Sequence, residues 1–296
     1  MNALTEERYL PWALLAPTLF IILLIAIFPL LYNLFLSMHF WNLTRPELGM
    51  QFIWFKNYQS LFTSPLFWGA FTRTVVFTLV AVGVEMCLGF ALALLFNREF
   101  RGKSIVFPIV LIPMITTPIV VGLIWRYMYN GEFGLVSWIL QVFGVAQYAV
   151  LSNPATALPA VIFVDVWHWT PFVFLLCLAR LRALPTSPYE AAEIDGASSW
   201  QTLKWITFPM MRSVLLIALL LRTMDAFKIF DEIFLMTQGG PGDATEMLSL
   251  EVYRQTFRYF NMGKGAALAI VMLIVIIIIS QIYLRIFQKH EAVAGE

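Results

Sequence analysis

Apolar residues gather into six long runs, separated by polar stretches rich in proline, glycine and aromatics. The runs cover about 11–38, 70–97, 104–129, 156–180, 211–236 and 263–287. Each is long enough to cross a hydrocarbon core of about 30 Å, which takes roughly 20 residues at about 1.5 Å rise. None shows the alternation over about 10 residues that barrel strands require. The pattern therefore predicts an all-α, polytopic membrane protein with six transmembrane helices in one domain, 1–296. The last run holds Ala266 to Ser280, almost all Ala, Leu, Ile, Val and Met. The fifth is the most interrupted, by Arg222, Asp225, Lys228, Asp231 and Glu232.

Composition agrees. Of 296 residues, 60% are hydrophobic and 12% charged, against about 45–50% and about 25% in soluble domains. A net charge of +1 leaves no nucleic-acid footprint. The first run follows Glu6, Glu7 and Arg8, a poor positive leader, and is long for a signal peptide. It reads as a retained first helix. Cys87 and Cys177 lie in apolar runs without metal-site spacing, so inert buried thiols and no disulfide are expected. No metal site is expected either, since His39, His168 and His290 fall in unrelated places.

Six spans put both termini on one side. With the termini inside, the inner face holds Arg8, Arg98, Arg101, Lys103, Arg180, Arg182, Lys204, Arg212, Arg285 and Lys289. The outer face holds Arg45, Lys56, Arg73, Arg126, Arg254, Arg258 and Lys264. The excess favours cytoplasmic termini and a cytoplasmic loop over 181–210. Aromatics such as Trp41, Trp54, Trp68 and Trp138 suit the outer interface, and 134–147 suits a short amphipathic helix there.

The 181–210 loop is well punctuated. Ser187-Pro188-Tyr189-Glu190 has the form of a capping box opening a short helix. Gly196 suits its left-handed end. Ser198-Ser199-Trp200-Gln201 opens a second helix, and Pro209 marks the return to the membrane. The prediction is a compact helix-turn-helix knob.

Charges at mid-bilayer cost at least about 2.5–3.5 kcal/mol and generally face a cavity or a partner. Glu85 lies in the second run. Asp165 and His168 lie in the fourth with Trp167 and Trp169, and Arg222, Asp225 and Lys228 in the fifth. One reading has Asp165, Trp167, His168 and Trp169 lining a cargo path, with Asp225 or Lys228 opposite. Carboxylates would bond hydroxyls, and aromatic faces would cover a sugar ring. The other reading is structural: Arg222–Asp225 and Lys228–Asp231 are i, i+3 pairs that satisfy each other, and the tryptophans fill the interior or face lipid.

The order Glu190-Ala191-Ala192, Gly196, Ile206, Pro209 resembles the signature loop of ABC importer permeases, with Phe208 where that family usually has Leu. The run Phe230 to Gly242, with its Gly239-Gly240-Pro241 turn, is similar to the sugar-importer subfamily that includes the larger maltose permease subunit and the glycerol-phosphate permease. Ala244-Thr245, Tyr253, Phe257, Gly263 to Ala267 and Phe55-Lys56-Asn57-Tyr58 continue the likeness over nearly the whole chain.

The resemblance implies a type I ABC importer permease fold in a bacterial inner membrane. It also implies a second, different permease, a cytoplasmic ATPase dimer and an extracytoplasmic solute-binding protein as partners. Glu190, Ala191, Ala192, Asp195 and Gly196 would meet the ATPase within the 187–209 loop. The chain lacks a Gly-x4-Gly-Lys-Ser/Thr phosphate loop. It would therefore be no enzyme and carry no cofactor; ATP and Mg would belong to the partner ATPase. The expected cargo is a sugar or sugar-like solute. Polyols, sugar acids or glycerol phosphate remain open, and a secondary transporter or membrane enzyme fits less well.

Overall fold

The computed structural model describes residues 3–144 and 149–294. Its contacts divide the chain into two compact units: 1–65 with 251–273, and 66–250 with 274–296.

In the first unit, α1 (Ala3–Ile22) passes through a wide turn, Leu23–Ile27, into α2 (Phe28–Ser37). Every residue from 14 to 32 is exposed. A small antiparallel hairpin follows, β1 (His39–Phe40) with β2 (Gln51–Phe52), paired His39 to Phe52 and Phe40 to Gln51. Then comes α3 (Lys56–Phe62). The Asn57 amide donates to the carbonyls of Ser37 and His39, at 2.8 and 2.9 Å, and the Tyr58 hydroxyl donates to Ser37 Oγ at 2.7 Å. The Phe55–Tyr58 segment thus closes the end of α2 by satisfying its last carbonyls.

In the second unit, α4 (Pro65–Phe96) is followed by α5 (Lys103–Ile115) and α6 (Pro118–Met128). Next come α7 (Leu135–Val142), within the expected amphipathic stretch, and α8 (Pro154–Arg182). The loop helices are α9 (Ser187–Ile194) and α10 (Ser199–Thr202). A wide turn over Leu203–Thr207 leads into α11 (Phe208–Ala226), which is followed by the short α12 (Asp231–Met236). The last two helices in the chain are α13 (Leu248–Tyr253) and α14 (Met262–Ala294). The fold is all-α and polytopic; among the described residues, five helices are long and apolar enough to cross a membrane, or six if a bent pair makes one span.

The bent pair corrects the third expected span, 104–129. It is two helices, α5 and α6, meeting at 100°. Pro118 opens α6 and has no amide to continue the ladder, and it drives Thr117 into extended backbone with ψ 143°. The fifth span is also corrected. Its helix begins before 211 and ends at Ala226, not 236. Phe230, with φ −138°, breaks the ladder, and Asp231 and Glu232 begin α12, where the helix dipole favours acidic side chains. Cys177 is buried as expected, whereas Cys87 is exposed.

Helices α4, α8 and α11 share a core of Ala93, Phe96, Val173, Phe174, Cys177, Leu178, Leu181 and Met211. Close approach depends on Gly89. A Cβ there would sit 2.6 Å from Val173 Cβ and 2.9 Å from the Phe174 amide nitrogen. Gly83, on the same helix, has nothing within 4 Å of that position. Small residues let membrane helices pack closely where no hydrophobic force drives them together. Gly89→Val should therefore lower the thermal midpoint of the purified protein by the equivalent of about 1–3 kcal/mol. Gly83→Val should leave it within about 0.5 kcal/mol. Equal effects would contradict the close packing.

Candidate functional site

Arg222 on α11 is 2% exposed and is the hub of the second unit. Its Nε donates to Glu85 Oε2 at 2.6 Å, and its Nη2 donates to Glu85 Oε1 at 2.9 Å. Nη2 also donates to Asp165 Oδ2 at 3.0 Å, and Nη1 to Asp225 Oδ2 at 2.9 Å. The guanidinium carbon lies 4.8 Å from the Trp169 ring centre. Glu85 and Asp165 are buried. A buried charge is tolerated only when paired and hydrogen-bonded, and the guanidinium fork matches a carboxylate edge. The i, i+3 pair with Asp225 exists, as the structural reading expected, but Arg222 bonds chiefly across to α4 and α8. Lys228 pairs with Asp225 at 3.6 Å rather than with Asp231. Asp225 lies at the end of α11, Lys228 in the connection after it and Glu232 on the separate α12, so the three share no continuous helix face.

His168, fully buried, is sandwiched between two acceptors. Nδ1 lies 3.1 Å from Glu232 Oε1, and Nε2 lies 3.1 Å from the Thr116 carbonyl. Next to it is a cavity of about 330 Å³ lined by Pro118, Asp165, Trp169, Asp225, Lys228, Ile229, Phe230, Asp231 and Glu232. Four of the six expected path residues, Asp165, Trp169, Asp225 and Lys228, therefore meet at one cavity. His168 stands behind its wall. Trp167 points elsewhere, its ring 5.3 Å from Trp125. Successive helical residues diverge by about 100°, so Trp167 and Trp169 cannot share a face. The cavity offers carboxyl oxygens, one ammonium and aromatic surface, a set suited to a hydroxylated solute. Among the described residues, no three His, Cys, Asp or Glu side chains could hold a metal ion.

The loop between α8 and α11 is the expected knob with a different first cap. Helix α9 starts at Ser187; its cap is Thr186, which has helical backbone and makes no side-chain cap bond. The Ser187–Glu190 box does not form, because a capping residue needs non-helical backbone. The Ser198–Gln201 box is present, with the Ser198 amide donating to Gln201 Oε1 at 2.7 Å. Gly196 has φ +73°. Its amide donates to the Glu193 carbonyl, and the Ala197 amide donates to the Ala192 carbonyl, a Schellman ending. The Tyr189 hydroxyl donates to Thr207 Oγ1 at 3.2 Å, bracing the knob.

Glu190, Ala191, Asp195 and Gly196 are exposed, and Ala192 packs inward. Ile194, which the sequence reading passed over, is 86% exposed at the tip. Its signal was an apolar residue between Glu193 and Asp195 in an otherwise polar segment. Arg73 was likewise counted only as a charge. Its side chain donates to Asp243 Oδ2 at 3.1 Å and to the Glu246 carbonyl at 3.0 Å, tying α4 to the segment after the Gly239-Gly240-Pro241 turn.

Residues 85–292 match the family described as the binding-protein-dependent transport system inner membrane component. The chain is 37% identical over 284 residues to the trehalose/maltose transport system permease protein MalF of Thermococcus litoralis, covering 95% of this chain and 94% of that one. It is 34% identical to the trehalose transport system permease protein SugA of Mycobacterium tuberculosis, covering 95% and 89%. It is 33% identical to the sulfoquinovosyl glycerol transport system permease protein SmoG of Agrobacterium fabrum, covering 96% and 92%. A chain of a bacterial ABC transporter involved in the import of the acidic polysaccharide alginate superposes with a TM-score of 0.82 at 22% identity, covering 96% and 97%. That likeness carries the fold. The chain belongs to the inner membrane components of binding-protein-dependent transport systems and is a permease subunit of an ABC importer, not an enzyme.

Proposed function

We propose that this permease carries a sugar or sugar-like solute, and that the cavity around Trp169 is part of its path. The observation that supports this reading is the cavity lining: carboxyl groups from Asp165, Asp225, Asp231 and Glu232, one ammonium from Lys228, and the aromatic rings of Trp169 and Phe230. Carboxyls accept from hydroxyls, and an aromatic face covers the apolar side of a sugar ring. Four carboxyl groups to one ammonium favour an uncharged polyhydroxylated cargo over a sugar acid or glycerol phosphate. Two of the relatives are named for trehalose or maltose, which have that chemistry, and a third for sulfoquinovosyl glycerol.

The chain forms half of the path, beside a second and different permease, in a bacterial inner membrane with both termini cytoplasmic. A solute-binding protein delivers cargo from outside. An ATPase dimer, holding ATP and Mg, binds the 187–209 loop from the cytoplasm. Glu190 and Asp195 supply charge to that contact, Ala191 allows close approach, Ala192 anchors the helix and Ile194 presents an apolar tip. The open space at Gly196, where a Cβ meets nothing within 4 Å, is room for a partner surface.

Two expected outcomes follow from these assignments, both measured as uptake by the complete transporter in proteoliposomes. Glu190→Lys, Ile194→Asp or Gly196→Leu should reduce uptake by at least tenfold without reducing the amount of permease inserted. Gly196→Asn, which accepts left-handed backbone, should retain most of it. Normal uptake in all three disruptive variants would overturn the docking assignment. Trp169→Ala should raise the KM for cargo severalfold while the ATPase subunits remain bound. If assembly fails first, or KM stays unchanged, Trp169 is a packing residue.

A further inference from the structure

Two short stretches far apart in sequence are basic, and the fold sets them side by side. Residues 98–103 hold Arg98, Arg101 and Lys103, and residues 180–182 hold Arg180 and Arg182, with Glu99 as the one carboxylate among them. The first stretch joins α4 to α5, and the second ends α8. A cavity of about 470 Å³ lies between them, lined by Glu99, Phe100, Gly102, Lys103, Ser104 and Phe107 on one side and by Arg182 on the other. It shares no residue with the cavity at Trp169.

The lining has two cations to one carboxylate, and that carboxylate is already committed. Lys103 Nζ donates to Glu99 Oε1 at 2.7 Å and to the Arg98 carbonyl at 3.1 Å. These bonds fix the ammonium in place and leave its third N–H open. The Glu99 side chain is 90% exposed. Arg182 makes no side-chain hydrogen bond or ion pair among the described residues, so its planar fork of donors is unspent. Arg101 is exposed between two lining residues, Phe100 and Gly102. A guanidinium fork beside a fixed ammonium suits a phosphate group.

The other part of the lining is apolar and fixed. Phe100 and Phe107 pack against Phe96, with ring centres 5.2 and 6.1 Å away, and Phe107 also meets Phe174 at 5.8 Å. From the cavity, α5 continues as an apolar helix. Its Ile105, Ile109 and Ile112, at i, i+4 and i+7, are 69%, 57% and 56% exposed. A basic group of side chains over aromatic rings thus leads into an exposed apolar stripe. A soluble anion needs only the first of these features. A phospholipid with an anionic head group uses all of them.

We propose that this cavity binds the head group of an anionic phospholipid, with Lys103, Arg182 and Arg101 around the phosphate and an acyl chain along the α5 isoleucines. Basic pockets where membrane helices meet the cytoplasm are suited to such head groups. The inner leaflet supplies the lipid, and this clause alone rests on the proposed cytoplasmic placement of the 181–210 loop. The ATPase is a poorer occupant, because its proposed contact is the knob tip, and no residue of 190–196 lines this cavity. A bound lipid would bridge the α4–α5 connection to the end of α8, the helix that leads into the knob.

The test is native mass spectrometry of the complete transporter, purified in detergent and mixed with phosphatidylglycerol and phosphatidylcholine of the same acyl chains. The wild type should retain phosphatidylglycerol in preference. Arg101→Gln with Arg182→Gln should lower that preference by at least about fivefold, since each cation near a head group contributes on the order of fivefold. Arg45→Gln, an equal loss of charge in the first unit, should leave it unchanged. Raising salt from about 0.1 to about 1 M shortens the screening length from about 10 to about 3 Å and should weaken the wild-type preference. Equal retention of the two lipids by the wild type overturns the proposal, as does an undiminished preference in the double variant. Loss of the ATPase subunits with the lipid preference intact would give the cations to the ATPase and overturn it too. So would binding of glycerol phosphate as tight as that of phosphatidylglycerol and equally dependent on Arg101 and Arg182, which would mark a site for a free phosphate. If the double variant does not assemble, a wild-type preference that ignores salt overturns it. No arm measures uptake or orientation. Protease accessibility that placed the 181–210 loop outside would reject the topology and leave the lipid site standing.

Discussion

The second unit is organised around one cation that cannot be left alone. Arg222 is buried among α4, α8 and α11, and its nitrogens reach Glu85, Asp165 and Asp225. Removing one partner from such a knot commonly costs about 3–5 kcal/mol, because the charge left behind stays buried. In a bilayer, lipid is as apolar as the helix surfaces, so apolar contact alone does little to draw helices together. Polar ties and close small-residue packing carry more of that burden. Here the tie at Arg222 and the close approach at Gly89 hold the same helices at different heights. The Arg222 guanidinium also stacks on Trp169, which fixes one wall of the cavity.

The two helices that enter and leave the 183–207 loop are α8 and α11, the pair that Arg222 and Asp165 join. From Asp165 to Arg182 is about 25 Å of continuous helix at about 1.5 Å per residue. Under the proposed docking, a displacement at the knob reaches the cavity along a packed rod. Pro159 and Pro171 lie within α8 without ending it. The wide turn Leu203–Thr207 and the Schellman ending at Gly196 shape the knob itself. His168 then connects α8 to the elbow and to α12, so one helix reaches the knob, the knot and the elbow.

Much of this was legible in the chain. Long apolar runs define membrane helices because backbone groups have no water to bond. Gly196 and Ser198 announce their caps because each local chemistry has few alternatives. The α5–α6 elbow was hidden, since proline interrupts some membrane helices and passes through others. Pro108 and Pro113 lie within α5, whereas Pro118 starts a new helix. What decides between these outcomes is partly distant: the Thr116 carbonyl meets His168, 52 positions away. The break after Ala226 was masked by apolar residues that continue on both sides. Glu85 and Arg222, 137 positions apart, show as charges in sequence, but their pairing exists only in the fold.

The most direct test of this frame is a double-mutant cycle on Glu85 and Arg222, read by the thermal midpoint of the purified permease. Arg222→Met alone leaves Glu85 and Asp165 buried without their cation and should be strongly destabilising. Adding Glu85→Leu to Arg222→Met should recover a substantial part of the loss, giving a coupling energy of at least about 1 kcal/mol. Additive losses from the two substitutions would contradict the claim that this buried pair holds the unit together.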